Sequence, residues 1–583
     1  MRSRAATKSA LLVPKPAPPV PKPPRAAPSW LRPLLLGLMG VYLLCVLTGE
    51  VSDTDTWWQL QSGKYIWQNH HLPLPDPFSF TTDMGTPLYK GELTTRHFNL
   101  THEWGMQLIF YLVQATGGFA GLVLFRALLM AVFCAVVGWL TARRSGSFYR
   151  GLAAAWVASV FAASFAADRP YLATFVLVAL TVAAFETRRA LWLLPPAFLI
   201  WANLHGGFIM GWAVVSAYSA EALYLRLRGK PVADERKIWI VSALAIFATF
   251  WNPNGWNVID VMRHYRDSPL QISIYEWNYP AWWPPDRFNI LAAATVALML
   301  WARRKVRFID WLLLAILGGS AATALRNVIF IGFIGPLLFG TYLPEWKRRV
   351  PVILEYAGGA VLLALIGLGI WNGRAFQLRA AEWRYPGEAA DFLLAHRVSG
   401  RIFNTYEQGG YLMWRLWPQI QVFIDGRALN ESVGADYQRM QFNADTASGK
   451  TTNDLLRQYG VNTIVMNGFD VLGNLQFLVA SLSDPSQKEW KLVYADKKEV
   501  IYMREPPAGV QPLPSITALA ALEDQCNYNI HHGITARCAR ALGDMYLTIG
   551  DRARARGWLT VYLKFDPTDR AANGEMRRIV LGR

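Results

Sequence analysis

Apolar stretches of roughly bilayer-crossing length alternate with short polar connections over the first 370 or so residues. The first covers 34–48. Others lie near 118–141, 151–167, 170–186, 190–204, 207–225, 237–252, 287–302, 308–325, 327–342 and 351–371. These runs, some of them short, predict an α-helical polytopic membrane protein with about 11 transmembrane helices over 34–373. Past residue 373 charged residues interleave with short segments of either period. Residues 388–396 and 453–459 read as helices, 401–404, 421–425 and 462–466 as strands, and 490–495 with 499–503 as a hairpin around Asp496-Lys497-Lys498. A small α/β domain over 374–505 is expected.

A proline-rich stretch, 506–514, opens a helical tail over 506–583. In it Leu542, Gly543, Tyr546, Ala555, Leu559 and Pro567 stand at offsets that let two antiparallel helices pack closely. Segment 539–572 thus resembles a single tetratricopeptide-type (TPR) unit. One unit buries little core, so the tail is either a docking appendage for a protein partner or helical packing that mimics the repeat.

The formal net charge of +17 would point to nucleic acid in a soluble chain. Here the basic residues gather in the connections between apolar runs, so they read as topology signals, and no nucleic-acid partner is expected. Residues 1–33 are basic, free of acids and proline-rich, the composition of a disordered cytoplasmic tail. A cleaved signal peptide is the rival, but no convincing small-residue cleavage site follows the first apolar run. With the N-terminus inside, five basic connections fall on the cytoplasmic face, as the positive-inside rule demands: Arg143-Arg144, Arg188-Arg189, the 226–237 cluster, the 303–307 cluster and Lys347-Arg348-Arg349. The same count puts a long first loop, 49–117, on the outer face together with Asp168, His205, Arg326 and everything after 373. The expected location is a bacterial inner (cytoplasmic) membrane, with the C-terminal domain in the periplasm. Cys45 and Cys134 fall inside spans as packing residues. Cys526 and Cys538 fall outside, where an oxidising compartment would allow a disulfide.

Candidate chemistry collects at the outer face. Ser52-Asp53-Thr54-Asp55-Thr56-Trp57-Trp58 follows the first apolar run directly, and the tryptophans suit the headgroup layer. A carboxylate beside a bilayer is costly unless it is wet, paired or working, so Asp53 and Asp55 are catalytic, metal-binding or solvated. His102-Glu103-Trp104 closes the same loop, while Asp76 and Lys64 read as ordinary solvated residues. Asp168-Arg169, Asn203 with His205, and Arg326 recur at one depth. Each either caps a helix end or joins a cation cluster that faces two acids and can hold a lipid phosphate. In the α/β domain, Tyr406-Glu407-Gln408-Gly409-Gly410-Tyr411 and Asp425-Gly426-Arg427 look like possible acceptor-side elements at a sheet edge, although a plain turn explains the glycines equally well.

A long first outer loop with an acidic motif just after the first span, about a dozen spans and an outer C-terminal domain resembles the GT-C superfamily of glycosyltransferases. That superfamily includes oligosaccharyltransferases, protein mannosyltransferases and lipid A aminoarabinose transferases. The sharpest element is Asp53-Thr54-Asp55-Thr56-Trp57-Trp58 with His102-Glu103-Trp104. The resemblance implies transfer of a sugar from a polyprenyl-phosphate donor in the lipid bilayer to a periplasmic glycan, lipid or protein acceptor. It implies Asp53, Asp55 or Glu103 in catalysis, and Trp57, Trp58, His102, Arg169, Asn203, His205 and Arg326 around the substrate and lipid phosphate. It also implies a possible magnesium or manganese ion held by Asp53 and Asp55. The segment 404–411 departs from the acceptor motif of oligosaccharyltransferases, so the acceptor does not carry over. Two other classes stay open: a non-enzymatic scaffold that recruits a partner through its tail, and a transporter of lipid-linked glycans, which would carry ionisable groups nearer the midplane.

Overall fold

The computed structural model describes residues 28–270, 274–344, 352–484, 486–514 and 516–581. Most of the basic tail 1–33 and the Lys347-Arg348-Arg349 connection lie outside the described residues. The chain is mostly helical, with one small mixed sheet.

A helix occupies every apolar run named above. Among the described residues, five are by length and composition able to cross a membrane: Glu92–Ser145, Phe148–Phe165, Phe208–Leu227, Leu325–Tyr342 and Val352–Trp371. Five shorter apolar helices, such as Leu31–Leu47 and Tyr171–Thr187, pack among them. Their surfaces suit hydrocarbon. Val352–Trp371 buries Leu362 and Ile366 yet leaves Val361, Leu363, Leu368 and Ile370 exposed, and a helix apolar all round has no water-facing side.

The long loop after the first apolar helix is not loose. Asp55–Asn69 and Glu92–Thr101 are helices, and Trp104–Ser145 runs from the end of this loop into the apolar bundle, with a break at Gly118. At φ 60° and ψ −161°, Gly118 holds a conformation that only a residue without a Cβ adopts freely.

The sheet has the order β2-β1-β3-β5-β4, with β1 Gly400–Asn404, β2 Ile420–Gln421, β3 Thr463–Met466, β4 Lys491–Ala495 and β5 Val500–Met503. β1 pairs in parallel with β2 and β3, while β3, β5 and β4 run antiparallel, the last two forming the expected hairpin. The expected strand 421–425 is cut to two residues in this sheet, because Val422 turns to pair outside it. Its N–H donates to the Phe78 carbonyl at 3.1 Å, and its own carbonyl accepts from Phe80 at 3.3 Å. The long loop therefore extends the domain's edge.

The reading of 406–411 as a turn or sheet edge is also corrected, since Tyr406–Leu416 is a helix. Its glycines are there for proximity. A Cβ on Gly409 would lie 2.0 Å from the Ile424 carbonyl, and one on Gly410 would lie 3.1 Å from the Thr54 carbonyl. A side chain at Gly409 would drive this helix off the segment before Asp425; one at Gly410 would crowd it against the start of helix Asp55–Asn69.

Two further contacts bind the long loop to the domain. Val51, just past the first apolar helix, donates to Arg379 and accepts from Ala381, both at 2.9 Å, so the chain after the last apolar helix is stitched to the chain after the first. The side chain of Asp76 is not solvated, as the sequence suggested, but wholly buried against Arg427, which also holds Asp425. Arg427 Nε reaches Asp425 Oδ1 at 2.7 Å, and its Nη2 reaches Asp76 Oδ2 at 3.0 Å. Two carboxylates around one planar fork give the bidentate geometry that arginine favours.

The tail consists of helices Ile516–His531, Arg537–Thr548, Arg552–Phe565 and Arg570–Val580. Cys526 and Cys538 are joined by a disulfide, Cα to Cα 5.5 Å, between the first two. The middle pair packs closely at Gly543, where a Cβ would meet Leu559 at 2.8 Å. Leu522, Cys526 and Leu542 share one apolar core with Phe403 and Ile464 of the sheet, so the tail draws its burial from the α/β domain.

Arg427→Leu should leave Asp76 and Asp425 buried without a counter-charge and destabilise the protein by about 3–5 kcal/mol. The measurement is the melting temperature of the purified protein; an unchanged value would show that the clasp holds nothing.

Candidate functional site

Asp53 and Asp55 occupy the turn that starts helix Asp55–Asn69. The Asp53 carboxylate accepts the Asp55 backbone N–H at 2.9 Å, which fixes the bend and splays the two side chains. Between them stands Arg169, set by the Asp168-Arg169-Pro170 turn ahead of helix Tyr171–Thr187. Its Nε meets Asp53 Oδ2 at 2.8 Å, its Nη2 meets Asp55 Oδ2 at 3.2 Å, and its Nη1 meets Glu276 Oε1 at 2.7 Å. Burial works against its charge, but these carboxylates keep Arg169 firmly protonated. Asp55 goes the other way: burial pushes its carboxyl up to about 7 against the pull of Arg169, and Asp53 adds to the push.

Asp55 faces a cleft of about 210 Å³ that also receives Glu103, His102, His205 and Arg326, groups from distant parts of the chain. Trp58 and Tyr406 line it as well. Glu103 is buried at its centre. One oxygen accepts from Gln59 Nε2 at 2.6 Å, and the other lies 3.2 Å from His102 Nε2 and 3.7 Å from His205 Nε2. The Gly207 N–H donates to His205 Nδ1 at 3.0 Å, which leaves the ring proton on Nε2, toward Glu103. Burial pushes His205 down to about 3, so it is a neutral donor and brings no positive charge.

Arg326 differs from Arg169. It sits in the short turn Leu325–Asn327 that interrupts the apolar stretch, with its guanidinium 4.5 Å from the Trp277 ring centroid. Among the described residues no carboxylate pairs with it. A guanidinium over an aromatic face at the wall of a polar cleft can receive an anion.

Other expected site residues stand apart from the cleft or serve its walls. Asn203 holds helices together, accepting from Trp104 Nε1 at 2.8 Å and donating to the Leu199 and Trp251 carbonyls. Trp57 is buried edge-on against Tyr385 and Tyr411, 4.9 and 4.8 Å away, and so joins the bundle to the α/β domain without facing the headgroup layer. The Tyr411 hydroxyl accepts from Arg415, and Tyr406 donates to the Gly426 carbonyl at 3.0 Å. Asp425 and Arg427 form the clasp described above. Glu407 lines a different groove, beside the tail. Asp53 faces away from Glu103 into a second cavity, which it shares with Arg126 and Arg384.

Arg126 escaped the sequence reading. Its Nη1 binds Asp168 Oδ2 at 2.6 Å, and its Nη2 donates to the Gly49 carbonyl. Both ionic side chains are almost wholly buried, so the pair braces the Asp168-Arg169 turn and the chain entering the acidic loop. A lone arginine in an otherwise apolar run was the available signal. As for a divalent cation, the acids converge on a guanidinium that already occupies the position between them. The arrangement fits an arginine, a metal ion would have to displace it, and no step is derived through one.

Arg126→Leu should strand Asp168 and cost about 3–5 kcal/mol, whereas the double variant Arg126→Leu/Asp168→Leu should recover most of the loss. Melting curves of the single and double variants check this; equal losses would mean that the pair does not act as a unit. No family model matches this chain and no curated protein matches it, so a functional reading has to rest on the cleft itself.

Proposed function

We propose that this protein is a GT-C-type membrane glycosyltransferase that moves a sugar from a polyprenyl-phosphate donor to an acceptor on the periplasmic face of a bacterial inner membrane. The carrying observation is the cleft in which the carboxyl of Asp55 and the guanidinium of Arg326, which among the described residues has no carboxylate partner, face the same space, close to the ends of apolar helices. Such a transfer needs a base for the incoming hydroxyl and a fixed cation for the departing phosphate, both beside the bilayer that holds the lipid.

In this reading Asp55 takes the proton from the acceptor hydroxyl as its oxygen bonds to the anomeric carbon. The bond from that carbon to the phosphate oxygen breaks, its electron pair leaves with the lipid phosphate, and Arg326 balances the charge that develops there. Arg169 keeps Asp53 and Asp55 apart and oriented. Glu103, braced by Gln59 and the two histidines, shapes the wall and binds sugar hydroxyls. The charge pattern of the connections supports an N-terminus in the cytoplasm and the α/β domain and tail in the periplasm. Reporter fusions after residues 145 and 380 should read cytoplasm and periplasm respectively, and the reverse would invert the topology.

With radiolabelled polyprenyl-phosphate sugars and membrane extract, Asp55→Asn should lower transfer about 10²–10⁴-fold, and Arg326→Ala about 10²–10³-fold. Equal transfer by wild type and Asp55→Asn would sink the assignment. The base must be ionised, and the buried carboxyl holds its proton up to about pH 7. Transfer should therefore rise as the pH climbs through about 7 and level off above it.

A further inference from the structure

A second groove, of about 370 Å³, lies between the α/β domain and the first helix of the tail. It shares Thr54, the residue between the two aspartates, with the Asp55 cleft, so the acidic loop is a common wall. Nothing in the transfer step above uses this groove. Besides Thr54, its floor and sides come from the 383–385 segment, the start of helix Tyr406–Leu416, the 467–471 segment, Lys497-Lys498 of the hairpin, and the end of helix Ile516–His531 with the residues that follow it.

The lining has a definite chemical character. Trp383 and His532 stack face to face, 4.7 Å between centroids and 7° between planes, and Tyr528 donates to the Trp383 carbonyl at 2.7 Å. The tail is thereby pinned to the domain through the groove's own aromatic wall. Between the rings stand carboxamides, Gln408, Asn467 and Asn529, each able both to donate and to accept. Ionic groups of both signs line it, Arg384, Lys497 and Lys498 with Glu407 and Asp470, and the Lys497 ammonium lies 5.2 Å from the Tyr528 ring centroid. One cation in excess, with Lys497 over an aromatic face, offers neither a polyanion nor a polycation a dense field. Flat aromatic faces interleaved with two-way hydrogen-bonding groups suit the apolar ring faces and equatorial hydroxyls of a neutral sugar chain.

We infer that this groove binds a neutral oligosaccharide, and that the bound chain leads its end to the acidic loop at Thr54 as the acceptor. The acceptor role rests on the transferase reading; the binding does not. On this view the tail is a structural half of a saccharide site, which accounts for its sharing a core with the α/β domain.

The test uses the full chain in lipid nanodiscs and calorimetric titration with neutral hexasaccharides of glucose, mannose and N-acetylglucosamine. A hexauronate and an acidic peptide serve as charged probes. At least one neutral hexasaccharide should bind saturably, and Asp55→Asn should bind it as wild type does. Asn529→Trp, which fills the groove from a partly exposed position, should weaken binding by about tenfold or more. His532→Ala, at an exposed ring of the aromatic wall, should weaken it too, so that the inference does not hang on one variant. Binding by none of the neutral probes, by the charged probes alone, or undiminished in both variants would overturn it. Saccharide binding without any transfer would retain the groove and remove the transferase reading, whereas transfer that both groove variants leave intact would remove the acceptor role.

Discussion

The site depends on one guanidinium. Arg169 lies between three carboxylates that come from two separate connections between apolar helices, and without it Asp53, Asp55 and Glu276 would repel one another in a half-buried space. An arginine meets this demand where a lysine would not, because its planar fork offers donors in several fixed directions at once and stays charged at every accessible pH. One charge against three also leaves a surplus of negative charge, which burial resolves by holding the Asp55 proton. The perturbed carboxyl and its neighbour's geometry therefore have a common cause. Arg126 and Asp168 extend the chain of dependence inward, since the residue next to Arg169 is itself held by a buried ion pair.

Around this centre the protein uses close backbone approach in place of side-chain bulk. Gly426 shows the tightness: a Cβ there would stand 2.3 Å from Asp55 Oδ1. With Gly409 and Gly410 on the neighbouring helix, it lets the α/β domain sit directly on the acidic turn. Trp57, Tyr385 and Tyr411 then fill the space beside the glycines. The domain is therefore part of the cleft's wall, and the Asp76–Arg427–Asp425 clasp fixes its angle.

Much of this could be read from the sequence, for reasons that differ from element to element. The apolar runs announced their helices because long hydrophobic stretches have few other outcomes, and the hairpin followed from alternation around Asp496-Lys497-Lys498. That Asp55, Glu103, His102, His205, Arg169 and Arg326 meet followed from placing all of them at one depth. What could not be read was pairing. Arg169 and Arg326 look alike in sequence, yet one is saturated by acids and the other, among the described residues, meets an indole and no carboxylate, because Glu276 reaches the first. Asp76 read as solvated because its partner lies 351 positions away. Gly409 and Gly410 suggested a turn, since local sequence does not reveal a helix that needs glycine to touch another segment.

The stitching of Val51 to Arg379 and Ala381 also governs when the site comes into being. Residues on its two sides stand more than 300 positions apart, as the 328-residue separation of the Thr48–Phe376 hydrogen bond shows. Contacts so remote along the chain form late, because the loop between them must close first. During synthesis the acidic turn emerges early, but its clasp, glycine seats and aromatic wall are made only after residue 427. The nascent protein thus forms its apolar helices while Asp53 and Asp55 are still without the partners that the α/β domain supplies, and the cleft is closed only after that domain's first half has been made.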